Sequence, residues 1–316
     1  TLDPDCAEKY LINGYVNYFG EYQLNAHVVT KKKDWTNITA VHTTQPAGKF
    51  DRDKDGFMDL PQIQRYSLWS RWKYKAEDKF GWSTRIGARI MKETRLGGQT
   101  QFDPDLHKGG NEFYGQTVDI DQGDFIAKTA YRFSDQSRIV LFNSVTAQKQ
   151  KSWYGLRSFN ADQFYSYNNL QYEQDWNEKH TVKAGFSYRH FDINELVGGE
   201  TQYEFAKAER IGGIFAENEA NFFTNRLTLL TGVRMDHHNQ FGWKFVPRGL
   251  LRFKADKQTT LRLNVGKGWR TINLFSESVR MLISSRHFHI GNDLQPEEAW
   301  NAGMSITRKF TRPNFS

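Results

Sequence analysis

Alternation constrains this chain more than any other feature. Trp82, Thr84, Ile86, Ala88 and Ile90 fall on one face of their segment, with Ser83, Arg85, Gly87 and Arg89 on the other. Val182, Ala184, Phe186 and Tyr188 alternate with Lys183, Gly185, Ser187 and Arg189, and Leu227, Leu229, Val233 and Met235 with Thr228, Gly232, Arg234 and Asp236. Leu261, Leu263 and Val265 do the same against Arg262, Asn264 and Gly266. Successive side chains of a strand point to opposite faces, so a period of two marks half-buried strands. No segment offers a comparable helical stripe. The chain reads as all β.

Composition removes several alternatives. The longest apolar-or-glycine run, Ile211 to Ala216, is far short of the roughly 18 residues that a membrane helix needs. The single cysteine, Cys6, excludes an intrachain disulfide framework and any Cys-rich zinc module. With 24 Phe, 14 Tyr and 9 Trp in 316 residues, the chain does not suit disorder. Two classes remain: a soluble globular β-protein, or a β-barrel whose membrane face occupies every second residue. No basic segment followed by an apolar one opens the chain. Thr1–Lys9 reads like the middle of something, and we expect a piece of a longer protein.

The pattern predicts about 14 strands, with boundaries good to about two to four residues. They fall at 10–18, 22–31, 35–44, 62–75, 81–92, 123–133, 138–149, 162–176, 180–193, 209–223, 226–238, 244–255, 259–269 and 296–310. Every second connection is tight, as at Lys32–Asp34, Ser134–Ser137, Asn177–Lys179 and Asp256–Gln258. The intervening ones are mostly long: Gln45–Pro61, Glu93–Gln122, Gln150–Ala161, Asn194–Ala208 and Arg270–Gln295. Only Gly20–Glu21 and His238–Trp243 are short among them. Long loops collected at one end are expected of an outer-membrane barrel, with short periplasmic turns and long extracellular loops. Asp135 and Asn177 then lie on the periplasmic side. Tyr and Trp recur near strand ends, among them Trp35, Trp72, Tyr74, Trp82, Tyr131, Trp243 and Trp300, where interfacial girdles place them.

Strand parity then divides the side chains. Trp82, Ile86, Ala88, Val182, Phe186, Leu229, Val233, Leu261 and Leu263 are expected to face lipid. Arg85, Arg89, Lys183, Arg234 and Arg262 share the opposite, interior face with Glu173, Glu217, Glu219 and Asp236. The net charge of +7 is thus spread through a wet lumen rather than gathered as a nucleic-acid footprint. A basic strip on a soluble β-fold is the alternative reading.

One motif suggests a metal. Asp51–Gln62 reads DRDKDGFMDLPQ, placing Asp51, Asp53, Asp55 and Asp59 at alternating positions of a calcium-loop pattern, with Gly56 at its turn. Converging carboxylates suit a hard cation, so Ca²⁺ is the expected cofactor, against a solvated acidic loop. Gln62 replaces the bidentate Glu of an EF-hand. His237 and His238 point opposite ways on a strand, and His287 and His289 read more simply as loop histidines. The sequon Asn37-Ile38-Thr39 lies inside an expected strand. No HExxH, GxSxG or Walker pattern occurs, so no enzyme is expected.

Four segments resemble one family. GVRMDHHNQFG at 232–242 with FVPR at 245–248, LRLNVGKGWRTINLFSESVRMLISSR at 261–286, and LQPEEAWNAG at 294–303 are similar to consecutive barrel segments of TonB-dependent outer-membrane receptors. The DRDKDGFMDLP loop resembles one in such receptors of Bacteroidetes-type bacteria. The resemblance implies a barrel of about 22 strands closed by an N-terminal plug, residing in the bacterial outer membrane and importing scarce chelates. Residues 1–316 would then be a partial barrel domain, with the plug and the C-terminal strands absent from this chain. A metal chelate (siderophore, haem or cobalamin), TonB acting through the absent plug, outer-membrane lipid and a surface lipoprotein are the partners so implied. Candidate ligand contacts are loop aromatics and cations: Trp153, Tyr154, Arg157, Arg270, Asn273, Arg280 and Arg286. A passive 14-stranded channel and a soluble carbohydrate-binding β-protein are the rival readings.

Overall fold

A computed structural model describes residues 6–75, 80–283, 291 and 294–310. Fourteen antiparallel strands follow one another as neighbours in a single sheet. They are β1 (Tyr10–Val16), β2 (Tyr22–Lys32), β3 (Trp35–Gln45), β4 (Gln62–Tyr74), β5 (Gly81–Gly98), β6 (Gly115–Arg132) and β7 (Ser137–Tyr154). β8 (Arg157–Asp175), β9 (His180–Gly198), β10 (Tyr203–Phe222), β11 (Leu227–His238), β12 (Gly242–Lys254), β13 (Thr259–Arg270) and β14 (Glu297–Arg308) complete it. One short helix, α1 (Val279–Ile283), lies in the connection between β13 and β14. Among the described residues no helix is long and apolar enough to cross a membrane. β1 and β14 are not neighbours, so these strands form an open, unclosed wall.

The hydrogen-bonded register carries the parity of β5 across the sheet. Trp82 opposes Tyr131, Ile86 opposes both Trp72 and Ala127, and Ile90 opposes Leu68. This outward face is apolar and open: Trp82 is 59% exposed and Ile90 62%. At its periplasmic edge the rings touch, with centroids 4.9 Å apart for Trp35 and Tyr74 and 5.0 Å for Trp82 and Tyr131. These contacts form one side of the expected aromatic girdle.

The opposite face holds charges in pairs. Arg89 meets Asp124 at 2.7 Å, Arg138 meets Glu173 at 2.5 Å and Arg234 meets Asp236 at 2.7 Å. Arg248 also meets Glu217. Charges mutually satisfied in this way can line a polar lumen without being dehydrated alone.

The outward face changes character along one line. Lys92, Asp121, Lys149 and Asp162 sit directly opposite one another on β5 to β8. On the periplasmic side of that line, outward positions of β5 run Trp82, Thr84, Ile86, Ala88, Ile90. Nine residues of tilted strand cross a bilayer, so on β5 the line stands at the upper limit of a band long enough to span one.

Beyond it the strands continue, which corrects the loop assignment. The stretches expected as loops at Gln150–Ala161 and Asn194–Ala208 are largely ladder, and Glu93–Gln122 is ladder at both ends around a connection at 99–114: β7 and β8 are separated only by Gly155 and Leu156, and β9 and β10 by residues 199–202. Above the bilayer both sheet faces meet water, so apolar alternation fades. Backbone pairing does not need it and persists. Three tall hairpins, β5–β6, β7–β8 and β9–β10, form an extracellular wall, while β11–β12 turns at Asn239–Phe241.

Candidate functional site

The wall's inner face receives the connection after β13. Tyr154, Phe159 and Val197 on the hairpins bury Phe275 and Leu282 in one apolar cluster, with Leu282 only 1% exposed. Polar contacts fix the same strap. The Lys207 ammonium donates to Thr271 Oγ1 at 3.1 Å, to the Ile272 carbonyl at 3.1 Å and to Asn273 Oδ1 at 2.7 Å. Thr271 donates to Glu209, which also meets His238 Nε2 at 3.3 Å. The Ser276 amide donates to Glu195 Oε1 at 2.9 Å. Glu195 is fully buried and its second oxygen has no partner. Burial holds its carboxyl above the ordinary glutamate range.

Beside the strap lies a cleft of about 330 Å³, lined by Tyr114, Tyr154, Arg157, Tyr203 and Leu282. Arg157 Nη1 donates to the Met281 carbonyl at 3.2 Å, so its cation is held at the cleft wall. Three phenols and a guanidinium around an apolar floor can stack on and hydrogen-bond a planar or phenolic chelate.

The expected contacts divide accordingly. Tyr154 and Arg157 line the cleft beside the strap, and Asn273 lies on the strap, held by Lys207. Trp153 does not join them: it opposes Thr117 and Ser158 on the outward face, where Gly109 lies against its ring so closely that a Cβ would come within 2.6 Å. Reading Gln150–Ala161 as a loop concealed this, because a strand sends neighbouring side chains to opposite faces. Arg270 is held by Glu297 at 2.7 Å and Glu277 at 3.0 Å, away from the cleft residues. Arg280 is exposed on α1. Arg286, His287 and His289 lie outside the described residues. Tyr114, Tyr203, Lys207 and Glu195 went unread in the sequence, since nothing local distinguishes them from other strand residues.

In the acidic loop, carboxylate oxygens of Asp51, Asp53 and Asp55 all lie within 4.8 Å of one another. Asp51 accepts from the amides of Asp55 at 3.1 Å and Gly56 at 2.9 Å, and the positive φ of Gly56, 87°, makes the turn. The fourth expected ligand stands apart: Asp59 Oδ2 accepts from the Arg52 amide at 2.9 Å. The loop is stitched to the β5–β6 connection through Thr100 N–H to the Gly56 carbonyl at 2.9 Å.

Solved structures similar to this one include an iron transporter and two siderophore receptors. The iron transporter FrpB of Neisseria meningitidis (F3-3 variant) superposes with a TM-score of 0.68 at 12% identity, covering 98% of this chain and 54% of that one. The ferric enterobactin receptor PfeA of Pseudomonas aeruginosa gives 0.59 at 9% identity, covering 84% and 44%. The siderophore receptor PirA of the same organism gives 0.53 at 10%, covering 84% and 43%. The chain thus spans about half the length of these solved receptors. No curated protein matches in sequence. Residues 12–312 match the family described as TonB dependent receptor-like, beta-barrel. With an outward apolar band, a polar inner face and that match over nearly its whole length, the chain belongs to the TonB-dependent receptor-like β-barrel family.

Proposed function

We propose that this chain is the ligand-receiving part of an outer-membrane transporter that imports a metal chelate, a siderophore, haem or cobalamin, driven by TonB through a plug. The observation that carries this reading is the strap-covered cleft of Tyr114, Tyr154, Tyr203 and Arg157 at the extracellular mouth, above a charge-lined inner face. Aromatic stacking and a fixed guanidinium favour an anionic, aromatic-rich complex. A passive 14-stranded channel has no support, because β1 and β14 do not pair. The similar solved proteins are an iron transporter and receptors for ferric enterobactin and a siderophore, which favours a siderophore over cobalamin. A surface lipoprotein is a further partner only by family resemblance.

Tryptophan quenching of the full-length receptor by a ferric catecholate, by haem and by cyanocobalamin tests this. One of the three should bind tightly, and Arg157→Ala should weaken that complex by about 1.5–3 kcal/mol, the scale of a charged hydrogen bond. Unchanged binding in Arg157→Ala would remove the cleft from consideration.

Ca²⁺ is the cofactor this reading adds. Asp51, Asp53 and Asp55 supply hard oxygen ligands, and Asp59 braces the loop instead of ligating. Ca²⁺ then orders the mouth beside the β5–β6 hairpin. Calorimetry on the full-length receptor should give a Kd of about 10⁻⁴–10⁻³ M, lost in Asp53→Ala/Asp55→Ala. An equal response from both proteins would leave a solvated acidic turn.

A further inference from the structure

Lower on the inner face, apart from the ligand cleft, lies a second concavity of about 650 Å³. Arg71, Lys73, Arg85, Lys128, Phe142 and Tyr167 line it, and the register gives all six the parity of the inward Arg89 and Arg138. The basin therefore opens into the lumen. Phe142 and Tyr154 lie on the same face of β7, twelve residues apart. At about 3.3 Å per residue, roughly 40 Å of strand separates the basin from the cleft. Its size falls within the range of about 300–1,000 Å³ that holds small molecules.

The charge of this basin sets it apart from the rest of the inner face. Lys73, Arg85 and Lys128 stand directly opposite one another on β4, β5 and β6, and Arg71 lies two residues above Lys73 on the same face. Like charges placed opposite across a strand pair repel. Above and below, the face neutralises its cations with acids: Arg89 meets Asp124 and Arg138 meets Glu173. Between those pairs, the four cations share a lining that contains no carboxylate. Lys128 lies over the Phe142 ring at 5.4 Å and Arg71 over the Trp69 ring at 5.8 Å. A ring face holds a cation in place without cancelling its charge. The ladder thus fixes a local excess of positive charge beside two aromatic rings, Phe142 and Tyr167.

We infer that this basin is a second station for the imported complex, built for a multiply anionic, aromatic chelate. The inference rests on the import reading given above. The cleft offers phenols and one guanidinium, and the basin repeats that chemistry with four cations: oxyanions go to the cations and planar groups to the rings. Cargo leaving the cleft for the periplasmic end meets the row, and fixed charges of one sign raise the local concentration of an oppositely charged solute. A complex without net negative charge gains nothing from the row, so the basin adds a selection that the mouth makes only weakly.

The test uses cells that make the full-length receptor, with a ferric tris-catecholate as the probe. Surface binding is measured without metabolic energy and uptake with it. Lys73→Gln/Arg85→Gln/Lys128→Gln should bind the probe at the surface as the wild type does and take it up about tenfold more slowly, the scale of one lost charged hydrogen bond. Lys73→Arg/Lys128→Arg should keep the wild-type rate. A fluorophore attached through Ser144→Cys, in a Cys6→Ser background, should be quenched by the iron complex during uptake, and the quenching should vanish when the three glutamines are added. Heat-modifiable migration checks that each variant is folded. Unchanged uptake in the triple variant with surface binding intact, or a label that the probe never quenches, would overturn the basin and leave the cleft standing. No binding by the wild type would overturn the import reading and this inference with it. Entry of vancomycin into cells carrying the triple variant would show that the row holds a lumen-filling polypeptide instead of cargo, and would also overturn the assignment.

Discussion

The hairpins β7–β8 and β11–β12 belong to one sheet and obey one hydrogen-bonding rule, yet they end at different heights. β11 and β12 turn at Asn239–Phe241, close to the membrane boundary, whereas β7 and β8 continue to Tyr154 and Arg157. In the shorter hairpin nearly every outward side chain is apolar, from Leu227 to Met235 and from Phe253 to Trp243. In the taller one, the outward series switches at Lys149 and Asp162 to Lys151 and Asn160. Lipid fixes the sign of every second residue within the bilayer; water above it does not. The backbone ladder is common to both regions, and only the solvent of the outward face differs. The bilayer selects side chains, and the ladder alone builds the wall.

The largest effect should come from breaking that contrast with one charge. Phe186, outward on β9 and 51% exposed, faces lipid, so Phe186→Arg should destabilise the barrel by about 2–4 kcal/mol at mid-membrane depth. Asn160→Arg, outward on the wall, should stay within about 0.5 kcal/mol. Equilibrium folding of the full-length receptor into bilayers under denaturant measures both. Similar costs at the two positions would abolish the boundary.

A second, smaller effect sharpens the inner side of the wall. Leu282 is buried against Tyr154, Phe159 and Val197, and Leu282→Ala should weaken strap docking by about 2 kcal/mol. Global stability should not follow, because the ladder does not depend on the strap. Hydrogen exchange at α1 should accelerate while the β7–β8 amides stay protected. Loss of protection in both would make the strap part of the fold rather than an addition to it.

The smallest effect depends on pH. Burial raises the Glu195 carboxyl above its ordinary value, so the docked strap favours the protonated form. Its contribution is complete below the ordinary glutamate range and is lost as pH rises through the raised value. Protection factors at 276–283, which remove the intrinsic base catalysis of exchange, should therefore fall with rising pH in the wild type. Glu195→Gln, which keeps the amide contact without ionising, should flatten that dependence. A pH slope surviving in the glutamine variant would assign it elsewhere, with Lys207, Glu209 and His238 the nearest groups.

Much of this architecture was legible in the sequence because the bilayer imposes a local rule. Parity at Trp82–Ile90 and Val182–Tyr188 separated the two faces, and the tight turns at Lys32–Asp34 and Asn177–Lys179 identified one end of the barrel. The three converging aspartates were legible for a similar reason: a turn centred on Gly56 is made by residues adjacent in the chain. Strand ends were not legible. Beyond Lys92 and Lys149 no apolar alternation survives to report the ladder, so extended strand reads as loop and Trp153, outward on β7, reads as a loop contact.

The sequence by itself determined the all-β class, the strand order and the outward and inward faces, since each depends on contacts between near neighbours or on the solvent beside them. Only the tertiary structure decided which residues meet. Lys207 reaches Asn273, Glu195 meets Ser276 and Arg157 meets Met281 across separations of 66, 81 and 124 residues. Such pairings depend on strand register, wall height and the path of the strap together. No local pattern of residues encodes those quantities, because each is set by the whole sheet at once.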